Sequence, residues 1–300
     1  MTSAPHRDHL AWVAPLTVAV IWGINGAVIR KAVTAELHPF AFNAVRLTLS
    51  VLVLAMMLAW QRRRREPAAV PLGRVLAVGL LGPLLNQCLS VSAFAHTTTG
   101  NAALLGTTAP VWTALLAAWL GVERVTGRTW LAIALTCAGT ATINMQQGPD
   151  FSSEHLLGNV LALGAALTWA LTTIVSAPLI GRISPTQVAC WSTAVVLPAH
   201  AGLLLNHQPT SWQLSATSWW CILYSGVVST GLAYALWNAT VQRIGPSLAM
   251  VYNNMVPLFA LVAAAVLLGE RVTPVQLAGG GLILAGVVSA GRRKRAQKVT

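Results

Sequence analysis

The feature that most constrains this chain is the length of its uncharged runs. No Asp, Glu, Lys or Arg occurs from 75 to 122, 129 to 149, 155 to 181, 183 to 242, 244 to 269 or 272 to 291. A helix that crosses a bilayer needs about 20 largely apolar residues. The core of a water-soluble domain accommodates one such run, not a succession of them. Only 9% of the residues are charged, against about 25% in a typical soluble domain. Too few charges remain to cover a surface facing water.

The pattern predicts ten spans, at 11–30, 39–60, 74–95, 101–121, 128–146, 157–179, 184–205, 217–240, 246–268 and 273–291. The two longest gaps hold two spans each, divided by the polar stretches "HTTTG" and "HQPTSWQLSATS". The first apolar stretch, 11–29, is long enough to span and has no small-residue cleavage site, so it is read as a retained helix. Cys88, Cys137, Cys190 and Cys221 lie in apolar segments without C-x-x-C spacing and read as small buried hydrophobes.

With both termini placed in the cytoplasm, fifteen Lys and Arg fall in cytoplasmic segments and three outside, with Arg46 inside a span. That bias is the positive-inside pattern. Much of the net charge of +12 sits in "QRRRRE" and "GRRKRAQK". Contact with anionic lipid headgroups accounts for it, and nucleic-acid binding is not expected.

The chain also repeats itself. "GVERVTG" at 121–127 returns as "GERVTP" at 269–274. A shift of 147 residues carries Trp22 onto Trp169, Pro110 onto Pro257, Glu123 onto Glu270 and Gly139 onto Gly286. Two related halves follow, 1–149 and 150–300, each with five predicted spans. An odd number of spans turns the second half upside down. Inverted repeats of this kind underlie alternating access in many secondary transporters.

Three stretches carry a resemblance: "APVWTALLAAWLGVERVTGRTWLAIALTCAGT" (109–140), "VPLFALVAAAVLLGERVTPVQLAGGGLILAGV" (256–287) and "SGVVSTGLAYALWNATVQRIGPSLA" (225–249). In order and spacing the chain resembles the drug/metabolite transporter superfamily, in its ten-helix EamA-type branch, over roughly 11–291. One departure is the extra Val122 between Gly121 and Glu123. The resemblance implies an all-α integral membrane protein in which the third, fourth, eighth and ninth helices line a central cavity. It also implies export of amino acids or similar small metabolites across a bacterial inner membrane, with drug export as the alternative. A monomer embedded in lipid, with no cofactor, is expected.

Polar groups inside a bilayer are expensive and tend to face a cavity or one another. Asn43, Arg46, Asn86, Thr107, Ser229, Tyr234 and Asn253 are therefore candidate substrate-binding residues, with interhelical packing as the alternative. Arg46 either reads a substrate carboxylate or snorkels outward. Trp22, Trp169 and Trp237 lie deep enough to build an aromatic pocket, or else face lipid. Pro110 and Pro257 are candidate gating joints or fixed kinks. Glu123 and Glu270 fall at helix ends, where a carboxylate can accept loop N–H groups; proton coupling is the other role open to them.

No enzyme constellation is present. G-x-x-x-x-G-K-[ST] and H-E-x-x-H are absent, and the histidines are scattered, so neither nucleotide hydrolysis nor a metal site is expected. "GGG" at 279–281 lies in an apolar run and reads as close helix packing. A lipid-processing enzyme would need convergent acids or histidines. A channel would show a pore helix or a charged ring.

Overall fold

In the computed structural model, the described residues are 10–35, 37–62, 71–145, 152–207, 209, 211–268 and 272–291, and their regular structure is entirely helical. Glu270 lies outside them. The first half comprises α1 (Leu10–Ala35), α2 (Pro39–Arg62), α3 (Leu72–Gly79), a π-helical segment π1 (Leu80–Asn86), α4 (Gln87–His96), α5 (Thr99–Gly106), α6 (Ala109–Trp119) and α7 (Gly127–Met145). The second half comprises α8 (Leu156–Ile180), α9 (Pro185–Ala194), α10 (Leu197–Asn206), α11 (Ala216–Leu223), π2 (Tyr224–Leu232), α12 (Ala233–Ile244), α13 (Pro246–Asn253), α14 (Val256–Leu268) and α15 (Pro274–Gly291).

Seven helical stretches are long and apolar enough to cross a membrane, and the bent pair α9 and α10 makes an eighth if it counts as one span. The chain is thus a multi-pass membrane protein. The other two predicted spans correspond to α7 and α15. Thr129, Thr136, Thr140, Thr142 and Asn144 dilute the apolar character of α7, and the apolar part of α15 is shorter, Pro274–Ala290.

Local chemistry explains where the long helices break. Pro110 occupies the first turn of α6, a position where a missing N–H costs nothing. The chain before it leaves the helix at Thr107 and Thr108, whose hydroxyls donate to the Leu104 and Leu105 carbonyls at 2.6 and 2.7 Å. The same two carbonyls accept the Thr107 and Thr108 backbone N–H groups, each at 3.1 Å, so the turn that ends α5 is held by main chain and side chain together. The second half breaks at Asn254 and Met255, ahead of Pro257, each 147 residues later. Pro83 lies within π1, where its missing N–H interrupts the i→i−4 ladder.

The extensive packing of α7 along α15 is made possible by glycine. A Cβ on Gly139 would stand 2.5 Å from the Gly279 carbonyl oxygen, and one on Gly286 would stand 2.9 Å from the Ala132 carbonyl oxygen. Residues 132 and 139 correspond to 279 and 286 under the 147-residue shift. The two contacts therefore exchange when the halves are exchanged. They also run in opposite senses along the helices, so α7 and α15 are antiparallel.

A second junction lies where the α6–α7 loop meets α13. The Glu123 carboxylate accepts a hydrogen bond from the Ser247 backbone N–H at 2.9 Å. Gly245, at φ 83°, leaves room for that carboxylate.

Candidate functional site

A cavity of about 730 Å³ lies between the halves. Its walls come from α1, α2, π1, α4, α5, α7, α8, α9, π2, α12, α13 and α14, with Gln276 from α15. Arg30, Phe94, Asn144, Ala263 and Gln276 line one end, near the termini of their helices, while Trp22, Trp169 and Tyr234 line the deeper part.

The aromatic floor is assembled from both halves. Trp22 meets Trp169 edge-on with ring centroids 5.4 Å apart, and Trp237 stacks obliquely on both, at 5.4 Å from Trp22 and 5.3 Å from Trp169. Tyr234 adds a ring 6.3 Å from Trp169. Each such pair contributes roughly 0.5–1.5 kcal/mol beyond its buried area. The Trp22 indole N–H donates to the Ser229 carbonyl at 3.1 Å, which pins α1 to π2. Trp237 is buried behind this layer, packed against Trp22 and Trp169.

Arg46 forms the polar side. It is 2% exposed, yet it lines the cavity. Its Nε donates to Asn43 Oδ1 at 2.8 Å, one terminal nitrogen donates to Ser225 Oγ at 2.9 Å, and the other to Gln87 Oε1. Phe42 lies beneath the guanidinium, 5.3 Å from its centre. All three acceptors are neutral, and N–H groups remain to spare on the guanidinium. Backbone contact brings the π2 side close: a Cβ on Gly226 would stand 2.7 Å from the Arg46 carbonyl oxygen. The charged residues lining the cavity, Arg30 and Arg46, are both cationic. At Arg46, whose partners are all neutral, the electrostatics favour an anion or a carboxylate-bearing zwitterion over a cation.

The remaining sequence candidates divide clearly. Asn86, Thr107, Ser229, Asn253 and Pro257 line the cavity. Asn86 already donates to the Ala165 carbonyl at 2.7 Å, and Thr107 to Leu104, so both also serve packing. Asn43 is fully buried behind Arg46 and positions it. Pro110 is buried at the start of α6. Glu123 serves the α13 junction. Sequence reasoning did not single out Gln87 or Ser225 as partners of Arg46, or Arg30 as part of the lining. Gln87 and Ser225 lie in apolar runs far from Arg46 in sequence, and only the tertiary fold brings them together. Among the described residues, no group of three His, Cys, Asp or Glu could hold a metal ion.

The sequence matches the EamA-like transporter family over 10–145 and again over 156–291. The chain belongs to that family. This EamA-like protein is 29% identical over 286 residues to a "Probable terminal-alkyne amino-acid exporter" of Streptantibioticus cattleyicolor, covering 94% of this chain and 93% of that protein. It is 26% identical over 292 residues to a "Probable amino-acid metabolite efflux pump" of Escherichia coli (strain K12), covering 92% of each. A solved crystal structure superposes with a TM-score of 0.79 at 20% identity, over 96% of this chain and 98% of that one, a likeness of fold. The EamA-like chain is accordingly a drug/metabolite-type secondary transporter of small metabolites, not an enzyme.

Proposed function

We propose that this EamA-like protein exports amino acids or closely similar carboxylate-bearing metabolites across a bacterial inner membrane by alternating access. Its working parts are two inverted five-helix repeats, 1–149 and 150–300, with both termini in the cytoplasm. The observation that carries this reading is the cavity itself, walled by both halves and holding a buried guanidinium whose partners are all neutral. The exchange-symmetric, antiparallel contacts of α7 and α15 support an axis in the membrane plane. The names given to the Streptantibioticus and Escherichia relatives support amino acids as the cargo.

Arg46 binds the carboxylate, and the Trp22 and Trp169 rings, backed by Trp237, receive the apolar side chain and attract the ammonium group. A cationic drug would meet the Arg46 guanidinium, whose hydrogen-bond partners are all neutral. In the orientation set by the basic residues, the end lined by Arg30 and Gln276 faces outward. The Glu123–Ser247 junction then closes the inner side.

Counterflow of labelled L-phenylalanine into proteoliposomes tests the reading, with its methyl ester and a lipophilic cation as competitors. The acid should exchange and be displaced by amino acids but not by the ester or the cation. Absence of exchange for every amino acid, or equal competition by the ester, would reject it.

A further inference from the structure

His200 is a buried titratable group that the cavity chemistry above does not use. It lies in α10, 1% exposed. Its Nε2 meets the Pro83 carbonyl oxygen at 2.8 Å. A carbonyl only accepts, so Nε2 carries the hydrogen and Nδ1 carries a lone pair. That Nδ1 is out of reach of solvent and has no hydrogen-bond partner among the described residues. Leaving a buried acceptor unpaired costs roughly 1–3 kcal/mol. A glutamine could donate to Pro83 without placing an imidazole lone pair in the interior. What the imidazole adds is the capacity to take a proton at Nδ1 without giving up its bond to Pro83.

The surroundings connect this site to the cavity. Pro83 belongs to π1 and, with Gly82, lines the cavity wall in the first half, while His200 comes from the second. α10 packs on α2, the helix that carries Arg46. Besides Arg46, the titratable groups on α2, α4 and α9 are Arg62, Cys88, His96 and Cys190; π1 carries none. Among the described residues, no acid lines the cavity. A carboxylate bound at Arg46 offsets a charge that opposes a second cation nearby.

We infer that His200 is a proton-binding site of the carrier, and that a carboxylate ligand at Arg46 and a proton on His200 Nδ1 bind cooperatively. The proton comes from water at the open face and returns to water after the ligand leaves. By linkage, each ligand strengthens the other's binding by the same factor. The inference rests on the transporter reading and on Arg46 as the carboxylate site.

The test uses the full chain in lipid nanodiscs with isotope-labelled histidine. Imidazole resonances are followed by NMR from about pH 5 to about pH 8. The His200 signal is identified by its loss in His200→Gln, which keeps a donor for Pro83. Should that variant fail to fold, single substitutions at each of the other histidines assign the signal by elimination. The His200 imidazole should take up a proton in this range, and L-phenylalanine should shift that uptake to higher pH. In proteoliposomes, a pH gradient should alter L-phenylalanine accumulation by the wild type. In His200→Gln that response should fall to the level seen without a gradient, with exchange at equal pH retained. An imidazole that stays neutral throughout, a titration unmoved by L-phenylalanine, or a variant with the wild-type gradient response would overturn the proposal. If no amino acid exchanges at all, the transport reading fails, and the ligand-free titration still decides whether His200 binds a proton.

Discussion

The Glu123 carboxylate and the Ser247 backbone N–H, 124 residues apart in sequence, meet at 2.9 Å where α13 begins. A carboxylate at a helix N-terminus satisfies an orphan donor and opposes the helix dipole, each effect worth about 0.5–1 kcal/mol. Glu123→Ala should lower the thermal midpoint of the purified protein more than Glu123→Gln, whose amide oxygen still accepts. Equal midpoints for the two variants would show that the junction contributes nothing through this bond.

The seam between α7 and α15 gives a second expectation. Gly139→Ala places a methyl group 2.5 Å from a backbone oxygen, and Gly279→Ala places one 2.6 Å from the Gly139 carbonyl. Each should destabilise by about 1–3 kcal/mol, because backbone must shift to admit the methyl group. Gly281→Ala, in the same helix with open space around its Cβ, is the control and should be near neutral. Unfolding in mixed micelles reads all three.

His38 and His207 stack with ring centroids 4.3 Å apart, and Phe40 closes on both edge-on. Burial first, and then the neighbouring His207, push the His38 imidazole below its ordinary value of 6.5. The fold thus prefers the neutral ring. The stabilisation is present above the ordinary value and is lost as pH falls from there through the lowered one. A spin-label distance between the α1–α2 loop and the end of α10 should therefore broaden in mild acid. His38→Phe keeps the stack without the charge and should abolish that pH dependence. A distance insensitive to pH in the wild type would reject the account.

The two helix breaks make the fourth prediction. Thr107–Thr108 and Asn254–Met255 occupy equivalent places ahead of Pro110 and Pro257. Replacing either proline with alanine restores a backbone donor and favours a straighter helix. If both breaks work as joints in inverted halves, the two substitutions should shift inward-facing and outward-facing populations in opposite directions. Spin labels at Ala95 and Val262 report the populations. Unchanged distributions, or shifts of the same sign, would make the prolines fixed kinks.

How legible was this in the sequence? Both helix breaks were, because proline imposes a local rule that needs no tertiary knowledge. Trp22 and Trp169 were legible as equivalents, since repeat spacing survives in the letters. The π segments were not: Pro83 was a signal for π1, but no periodicity announces a π turn. Glu123 read as a residue that holds loop amides, yet its partner Ser247 belongs to the other half and only the fold brings it near. His200 passed unnoticed because a single histidine in an apolar run looks like any other. Its significance lies in one unpartnered nitrogen, which sequence does not encode.

The helices α7 and α15 match in backbone at their seam but not in the polar contacts they make with the helix breaks beside them. On α7, Thr136 and Cys137 accept from the Asn254 side chain at 3.2 and 3.5 Å, Thr140 reaches the Asn254 carbonyl at 3.5 Å, and the Cys137 thiol meets the Thr107 carbonyl at 3.2 Å. The equivalent positions on α15 are Ile283, Leu284 and Val287, which offer no hydrogen bond. Two identical halves would give mirror arrangements equal weight. Polar catches on one helix alone tilt that balance. Under the alternating access proposed above, an empty carrier built this way has a preferred resting side, and its return from the other side runs downhill.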